Sequence, residues 1–249
     1  MLKREAQLKK AEAHKLQLAE AKTKRRAGGS LQRAEPVLEL KPSILIYCEG
    51  KNTEPSYFNK FKLATATVKA YGEGKNTLSL VETAKRIADE AAERGNPFDQ
   101  VWCVFDADPK PDNPKQLENF NDAVALAKKN DFGCAYSNQA FEYWLILHFE
   151  DHQGGGMPRT DFDPKLNGYL KHFGLSYDGG GTKMVSPELF VRLFEVLTTD
   201  KHGNPVTRCD VAITRAERNF KNIGDHTNPA AEESATRVQE LVKVLLKYT

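Results

Sequence analysis

The sequence predicts an α/β fold in which a parallel sheet is flanked by helices. Two observations indicate this class. Residues 43–48 and 100–105 form short runs that are apolar on both faces, as in buried strands of a parallel sheet; a strand with one wet face would alternate. Helical patterns separate the strand-like runs, and strands that alternate with helices form parallel βαβ units. The 249 residues suffice for one such core with a helical appendage.

The N-terminal arm differs in charge from the rest of the chain. Residues 1–33 carry ten Lys or Arg against three Glu, a formal charge of +7, whereas the remainder carries −5. The arm is rich in helix-forming residues. We therefore divide the chain into a basic helical arm at 1–33, an α/β core at 43–150 and a mostly helical region at 151–249 packed on the core. The arm could bind phosphate groups or be a solvated helix without a partner, and both interpretations stay open.

The sequence also indicates the cellular compartment. No segment approaches the roughly 20 continuous apolar residues that a bilayer crossing needs, and the charged N-terminus lacks the apolar core of a signal peptide. We expect a cytoplasmic protein with no membrane partner. Its four cysteines have no Cys-x-x-Cys spacing, which favours reduced core thiols over zinc ligands or disulfides.

The first strand-to-helix unit begins at residue 43. A strand at 43–48 is followed by Gly50, which is expected to permit a sharp backbone turn. A helix should then begin near Glu54, with Asn52 or Thr53 as its N-cap.

The remaining elements continue this alternation and then become helical. Further strands are predicted at 65–70 and 132–137, and the helices of the core at 77–92, 117–129 and 138–149. Helices of the C-terminal region are predicted at 164–173, 187–197, 211–223 and 232–247. The apolar positions of the helix at 187–197, Leu197 included, are expected to face the core.

Carboxylates follow two of the predicted strands. Asp106 and Asp108 come after the strand at 100–105 with a spacing that directs side chains to one face. Glu49 follows the first strand, and the carboxyl ends of parallel strands meet at the edge where open α/β sheets bind ligands. Glu142, in the first turn of the helix at 138–149, is expected beside the same edge.

The spacing of these acids favours a divalent cation. Like-charged carboxylates repel one another unless a proton or a cation lies between them, and hard oxygen ligands suit Mg²⁺ or Mn²⁺. A structural interpretation stays open, because Asp after a strand is often a cap or turn residue and a first-turn Glu interacts with the helix dipole. His148 is expected to be a packed or capping side chain.

Glu49-Gly50 at one strand end and Asp106-Ala107-Asp108 at another resemble the signature of the Toprim domain. A more specific resemblance, to the RloB-like family, runs from about residue 43 to the C-terminus. It rests on residues 46–58, residues 104–108, Asn228-Pro229, and the set Ser137, Asn138, Phe141, Glu142, Trp144, Leu145, Leu147 and His148.

The resemblance implies a Toprim-like Rossmannoid sheet and a metal-dependent nuclease acting in bacterial antiphage defence of the abortive-infection type. RNA, transfer RNA included, or DNA would be the substrate, and an ATPase would be a partner. Glu49, Asp106 and Asp108 would hold Mg²⁺ or Mn²⁺, or Glu49 would act as general acid or base. Glu54 and Glu142 are further candidates. The candidate nucleic-acid contacts are Lys51, Lys110, Lys171, Lys183, Arg25 and Arg26.

The tyrosines of the core bear on the type of reaction. Tyr47, Tyr57 and Tyr143 are expected to be packed. Unlike topoisomerases, the sequence therefore offers no nucleophilic tyrosine, which favours hydrolysis over strand passage.

A non-catalytic module that binds nucleic acid or recruits a partner is one alternative function. An Asp-x-Asp nucleotide-sugar transferase is the other, although the Glu-Gly pair at residues 49–50 argues against it.

Overall fold

In the computed structural model, the described residues are 12–20, 22–23, 41–70, 77–109, 112–113, 115–178 and 181–249. Residues 1–40 and 41–249 form two units. In the first unit, residues 12–20 and 22–23 are helical and their side chains are exposed. The helical prediction for the arm is confirmed for these residues. Arg25 and Arg26 lie outside the described part of the chain.

Four parallel strands form the central sheet. They are β1 (Ile44–Cys48), β2 (Ala66–Ala70), β3 (Gln100–Val104) and β4 (Gly133–Cys134), in the spatial order β2-β1-β3-β4. All three neighbouring pairs are parallel, so the predicted fold class is confirmed. The most buried strand is β1, which pairs with both β2 and β3.

Helices cover both faces of this sheet. The core helices are α1 (Thr53–Phe58), α2 (Thr77–Glu93), α3 (Lys115–Lys129) and α4 (Glu142–Leu147). On one face, α2 and α3 pack their apolar sides against Leu45 and Phe105. On the other face, α1 and α4 contribute Tyr57 and Trp144 to a second apolar cluster. This double coverage explains why the strands are apolar on both sides.

The C-terminal region combines helices with a hairpin. It contains α5 (Phe162–Leu170), α6 (Pro187–Leu193), β5 (Val196–Thr199), β6 (Pro205–Thr207), α7 (Arg208–Ile223) and α8 (Val238–Leu246). Short 3₁₀ helices lie at Asn59–Phe61, Arg159–Asp161, Lys171–Phe173 and Pro229–Ala231. Leu166 and Leu241 share one apolar cluster with Trp144, so the packing is continuous across residue 150.

The predicted helix at 187–197 is wrong beyond Leu193. Residues Val196–Thr199 instead form β5, which pairs antiparallel with β6, and Leu197 is exposed rather than buried in the core. The apolar spacing fits a helix, but two local signals favour the strand. Three of the four β5 residues are β-branched. The Asp200 side chain then accepts backbone N–H bonds from His202 and Asn204, which fixes a turn.

Three other elements are shorter than predicted by several residues: β4, α4 and α8. A single pairing explains why the two helices begin late. Ser137 forms an antiparallel bridge with Thr236, and the Asn138 N–H donates to the carbonyl oxygen of Ala235 at 2.9 Å. This pairing therefore takes the place of longer helices before α4 and α8. The residues after β4 still pair with the β3 side, since the Ala135 N–H donates to the carbonyl oxygen of Cys103 at 2.9 Å.

Several predicted core side chains are buried as expected. His148 is 1% exposed, its Nδ1 lies 3.0 Å from the carbonyl oxygen of Trp144, and burial lowers its pKa to about 3. Tyr47, Tyr57 and Tyr143 are buried, and the four cysteines form no disulfides. Among the described residues, no helix has both the length and the apolar character needed to cross a bilayer.

Candidate metal and active site

Glu49 and Asp106 meet because β1 and β3 are neighbouring strands. Their last residues, Cys48 and Val104, are paired in register. Glu49 follows directly and its N–H donates to the carbonyl oxygen of Val104 at 2.8 Å. In return, the N–H of Asp106 donates to Glu49 Oε2 at 3.1 Å. The backbone of β3 and of the residues after it thus holds both the main chain and the carboxylate of Glu49 beside Asp106.

Asp108 reaches the same cleft by a different route from the one that its spacing predicts. The regular strand β3 ends at Val104, and its pairing continues through one parallel bridge between Asp106 and Ser137, in which the Ala107 N–H donates to the carbonyl oxygen of Ser137 at 3.0 Å. The backbone of Asp108 is left-handed, with φ of 37°, a region that Asp tolerates better than most residues. Both aspartates line one cleft, although Asp108 lies beyond the regular strand.

Gly50 makes room for the carboxylate of Glu54. A Cβ atom at Gly50 would lie 2.3 Å from Glu54 Oε2, and its φ is not positive. The backbone bends at residues 49–52, as expected, but close approach to Glu54 rather than a positive φ is the reason for glycine here. The Gly50 N–H donates to Glu54 Oε1 at 3.3 Å. Glu54 itself is 5% exposed.

Glu142 is fixed by a hydroxyl from the C-terminal region. It lies in the first turn of α4, as predicted, and is 6% exposed. The buried Tyr177 hydroxyl donates to Glu142 Oε1 at 2.8 Å and lies 3.0 Å from Thr53 Oγ1. Thr53 donates in turn to the carbonyl oxygen of Lys183 at 2.6 Å. The Thr53 side chain is thus used here, and neither it nor Asn52 makes the predicted cap hydrogen bond of α1.

These side chains enclose a cleft of about 230 Å³ at the carboxyl edge of the sheet. Five carboxylates and three basic groups line it: Glu49, Glu54, Asp106, Asp108, Glu142, Lys51, Arg159 and Lys183. Two of the predicted nucleic-acid contacts, Lys51 and Lys183, are in this set. Lys171 belongs to the 3₁₀ helix Lys171–Phe173 and does not line the cleft. Lys110 lies outside the described residues.

Burial and mutual repulsion act on the acids of the cleft. Removal from water raises the pKa of Asp106 well above its ordinary value, and the charges of Glu54, Glu49 and Glu142 raise it further. Burial likewise raises the pKa of Glu54 to about 7, with added repulsion from Glu142 and Glu49. These groups lack sufficient positive charge around them.

The donor chemistry fits a divalent cation, although the side chains are not gathered around one point. Closely spaced carboxylates with raised pKa values are the environment that Mg²⁺ or Mn²⁺ stabilises. Within the described residues, however, no three His, Cys, Asp or Glu side chains are placed to hold one ion. Arg159 also forms an ion pair with Asp108. Binding would therefore require side-chain rotation, and the predicted ligand set of Glu49, Glu54, Asp106 and Asp108 stays a prediction.

Three residues of the site were not predicted as site residues from the sequence. Arg159 and Tyr177 lie in the C-terminal region, more than 50 positions after Asp106 along the chain, and only tertiary packing brings them to the cleft. The hydroxyl of Tyr177 is not a candidate nucleophile, because burial raises its pKa and the group is engaged by Glu142. Thr53 was predicted only as a cap.

Replacement of Tyr177 by Phe tests this hydroxyl network. We expect Tyr177→Phe to lower the free energy of unfolding by about 1–2 kcal/mol, because buried Glu142 and Thr53 each lose a partner. The matched control is Tyr169→Phe, which removes a more exposed hydroxyl that also donates to a glutamate, Glu150, at 3.0 Å. Its effect should stay below about 0.5 kcal/mol. Equal effects in urea unfolding would contradict the assigned role of Tyr177.

Comparisons with known proteins bear on the whole second unit. A family model described as "RloB-like protein" matches residues 44–245. The match runs from the first residue of β1 into α8 and includes every cleft residue named above. A comparison with curated proteins found no match to the chain.

Proposed function

The chain belongs to the RloB-like family, and from this premise we propose that it is a metal-dependent nuclease that hydrolyses phosphodiester bonds of RNA or DNA. We further propose that it acts in bacterial antiphage defence by abortive infection, with an ATPase as a partner. One observation carries the proposal: five carboxylates and three basic groups share a single cleft at the carboxyl edge of a parallel sheet. Carboxylates are the ligands that divalent cations prefer, and the basic side chains can bind phosphate groups.

The roles of the side chains follow from their positions. Glu49, Asp106 and Asp108 would hold one or more Mg²⁺ or Mn²⁺ ions, with Glu54 beside them. A bound cation would supply Lewis-acid activation of the phosphodiester and of the attacking water. Lys51 and Lys183 would attract the nucleic-acid backbone to an otherwise acidic cleft.

Other residues fix the geometry of the acids. The N–H of Asp106 orients the Glu49 carboxylate, and Tyr177 fixes Glu142 at the cleft wall. Glu142 would then orient water or a ligand. Such pre-oriented acceptors reduce the reorganisation needed during reaction.

A second candidate function is a non-catalytic module that binds nucleic acid or recruits a partner. It is favoured by the absence, among the described residues, of three side chains already placed around one metal position. The Arg159–Asp108 ion pair is also consistent with a purely structural acid. The two functions differ in whether purified protein cuts nucleic acid.

Metal removal is expected to abolish cleavage. We expect purified full-length protein to cut at least one of transfer RNA, messenger RNA, single-stranded DNA or duplex DNA in the presence of Mn²⁺. EDTA should reduce the rate by about 10³-fold or more, because Lewis-acid activation is worth several kcal/mol. The lengths of end-labelled products on denaturing gels measure this.

Restoration of activity is the control for metal removal. Mn²⁺ or Mg²⁺ added in excess over EDTA should recover cleavage, whereas a contaminating metal-independent nuclease would be indifferent to both steps. Cleavage that persists in EDTA contradicts the metal proposal. Binding without cleavage of all four substrates would instead favour the non-catalytic module.

A further inference from the structure

Arg159 is anchored by its backbone neighbours while its side chain reaches into the cleft. It begins the 3₁₀ helix Arg159–Asp161, two positions after the buried Met157. The N–H of Met157 donates to Ser234 Oγ at 2.9 Å, and Phe162, which begins α5, is also buried. The Arg159 side chain keeps 40% of its surface exposed. A fixed backbone therefore carries a guanidinium that can change partners.

The partner of Arg159 in this structure is a proposed metal ligand. Its Nη1 donates to Asp108 Oδ1, and the pair forms an ion pair. Burial disfavours the charged guanidinium, yet Asp108, Asp106 and Glu142 together raise the pKa of Arg159. In return, Arg159 opposes the repulsion that raises the pKa of Asp106. The guanidinium thus supplies part of the positive charge that the acidic cleft lacks.

A guanidinium and a divalent cation compete for such a position. Both are attracted to the same carboxylates, and they repel each other when both are close. The guanidinium has a second class of partner, because its planar fork binds phosphate oxygens through paired hydrogen bonds. A nucleic acid that enters the cleft brings such phosphates.

We propose that Arg159 exchanges Asp108 for a phosphate of the nucleic acid when a divalent cation enters the cleft. The inference rests on the proposed function and adds a substrate-binding residue that couples metal loading to nucleic-acid binding. In the metal-free protein, Arg159 neutralises Asp108. Once a cation takes over that neutralisation, the guanidinium is released to the substrate. By linkage, metal and nucleic acid then strengthen each other's binding by the same factor.

Removal of the guanidinium has opposite effects on the two ligands. In Arg159→Gln, Mn²⁺ no longer has to displace the Arg159 guanidinium from Asp108. Mn²⁺ should therefore bind this variant about 3- to 10-fold more tightly than the wild type. An oligonucleotide should bind about 5- to 10-fold more weakly, and its affinity should depend less on salt by about one unit of logarithmic slope. A purely structural Arg159 would weaken both ligands together. The opposite signs therefore distinguish the exchange from general damage to the site.

The experiment uses full-length protein and two probes. Mn²⁺ binding is measured without nucleic acid from the electron paramagnetic resonance signal of the free ion. Oligonucleotide binding is measured in Ca²⁺ by fluorescence anisotropy with labelled single-stranded RNA and DNA of one sequence, and gels verify that the probe remains intact. Arg192→Gln is the matched control, because Arg192 is 41% exposed, also pairs with a carboxylate, Glu195, and does not line the cleft. It should leave both affinities unchanged.

Arg159→Lys keeps the charge without the planar fork and guards against a folding defect in Arg159→Gln. It should bind Mn²⁺ like the wild type and bind the oligonucleotide with intermediate affinity. Mn²⁺ affinity that is unchanged or weaker in a folded Arg159→Gln protein overturns the inference. Failure of the nuclease proposal would appear separately, as absence of cleavage by the wild type, while the Mn²⁺ and oligonucleotide affinities together still decide the exchange.

Discussion

Asp106→Asn is expected to reduce metal-dependent cleavage by about 10³-fold or more while the protein remains folded. Asn has nearly the shape of Asp but lacks the charge that a divalent cation requires. The Asp106 N–H still donates to Glu49 Oε2 in the variant, because this contact uses the backbone. The local geometry should therefore survive the substitution while the affinity for the cation falls.

The stability of the same variant is expected to be maintained or raised. Burial and the charges of Glu54 and Glu49 disfavour an ionised Asp106. Neutral Asn removes that repulsion, so thermal unfolding of Asp106→Asn in EDTA at pH 8 should occur no lower than that of the wild type. Loss of activity without loss of stability is typical of a residue selected for chemistry rather than for folding.

Asp99→Asn is the control because it makes the same change at the other end of the same strand. Asp99 precedes β3 and accepts a hydrogen bond from the Ser43 N–H at 2.7 Å, which an Asn carbonyl oxygen can also accept. It should retain cleavage within about 3-fold of the wild type. Equal activity in the Asp106 and Asp99 variants, measured with end-labelled substrate in Mn²⁺, would refute the assignment of the active site.

The acidic edge could be predicted from local sequence because the side chains follow strand ends. Apolar runs identify buried parallel strands, and the parallel arrangement places Glu49 and Asp106 at one edge whatever the strand order. The order itself, with β1 beside β3, determines that the two acids are direct neighbours. It depends on how helices pack on both faces, which no local pattern records.

The basic and hydroxyl groups of the site could not be predicted in this way. Arg159 and Tyr177 belong to loops and short turns of the C-terminal region, and only the packing of that region on the sheet brings them to Asp108 and Glu142. The sequence predicted Lys51, Lys183 and Lys171 alike as nucleic-acid contacts, and of these three only Lys51 and Lys183 line the cleft. A lysine or arginine in a sequence window carries no information about which carboxylate it will face.

The same limit explains the errors in secondary structure. In β5, apolar spacing favoured a helix while β-branched residues and the following turn favoured a strand, and the pairing with β6 decided between them. For α4 and α8, the deciding interaction joins Asn138 to Ala235, almost 100 positions away along the chain. Local propensity decides an element only where no such distant pairing satisfies the backbone.

Glu54→Gln is expected to stabilise the metal-free protein at pH 8, and to do so by much less at pH 5. In the wild type, the pKa of Glu54 is raised from an ordinary value of 4.5 to about 7, first by burial and then by the charges of Glu142 and Glu49. The folded state therefore holds this proton more tightly than the unfolded state. The contribution of Glu54 to the free energy of unfolding therefore falls as pH rises from about 4.5 to 7. Above pH 7 the folded state bears the full cost of burying the ionised carboxylate. Neutral Gln removes a penalty on the order of 2–3 kcal/mol at pH 8.

Urea unfolding in EDTA at both pH values measures this difference, and the buried Glu232 supplies a control of opposite sign. Glu232 accepts a hydrogen bond from the Tyr136 hydroxyl at 2.5 Å and lies 2.9 Å from His226 Nδ1, so Glu232→Gln should destabilise the protein. Saturating Mn²⁺ should abolish the advantage of Glu54→Gln, because a cation offsets the repulsion in the wild type and its binding adds stability by mass action. A Glu54→Gln protein that is less stable than the wild type at pH 8 in EDTA would show that Glu54 serves the fold through its charge. In that case the cleft would be a structural ion network, and its electrostatics would no longer favour a cation at this edge of the sheet.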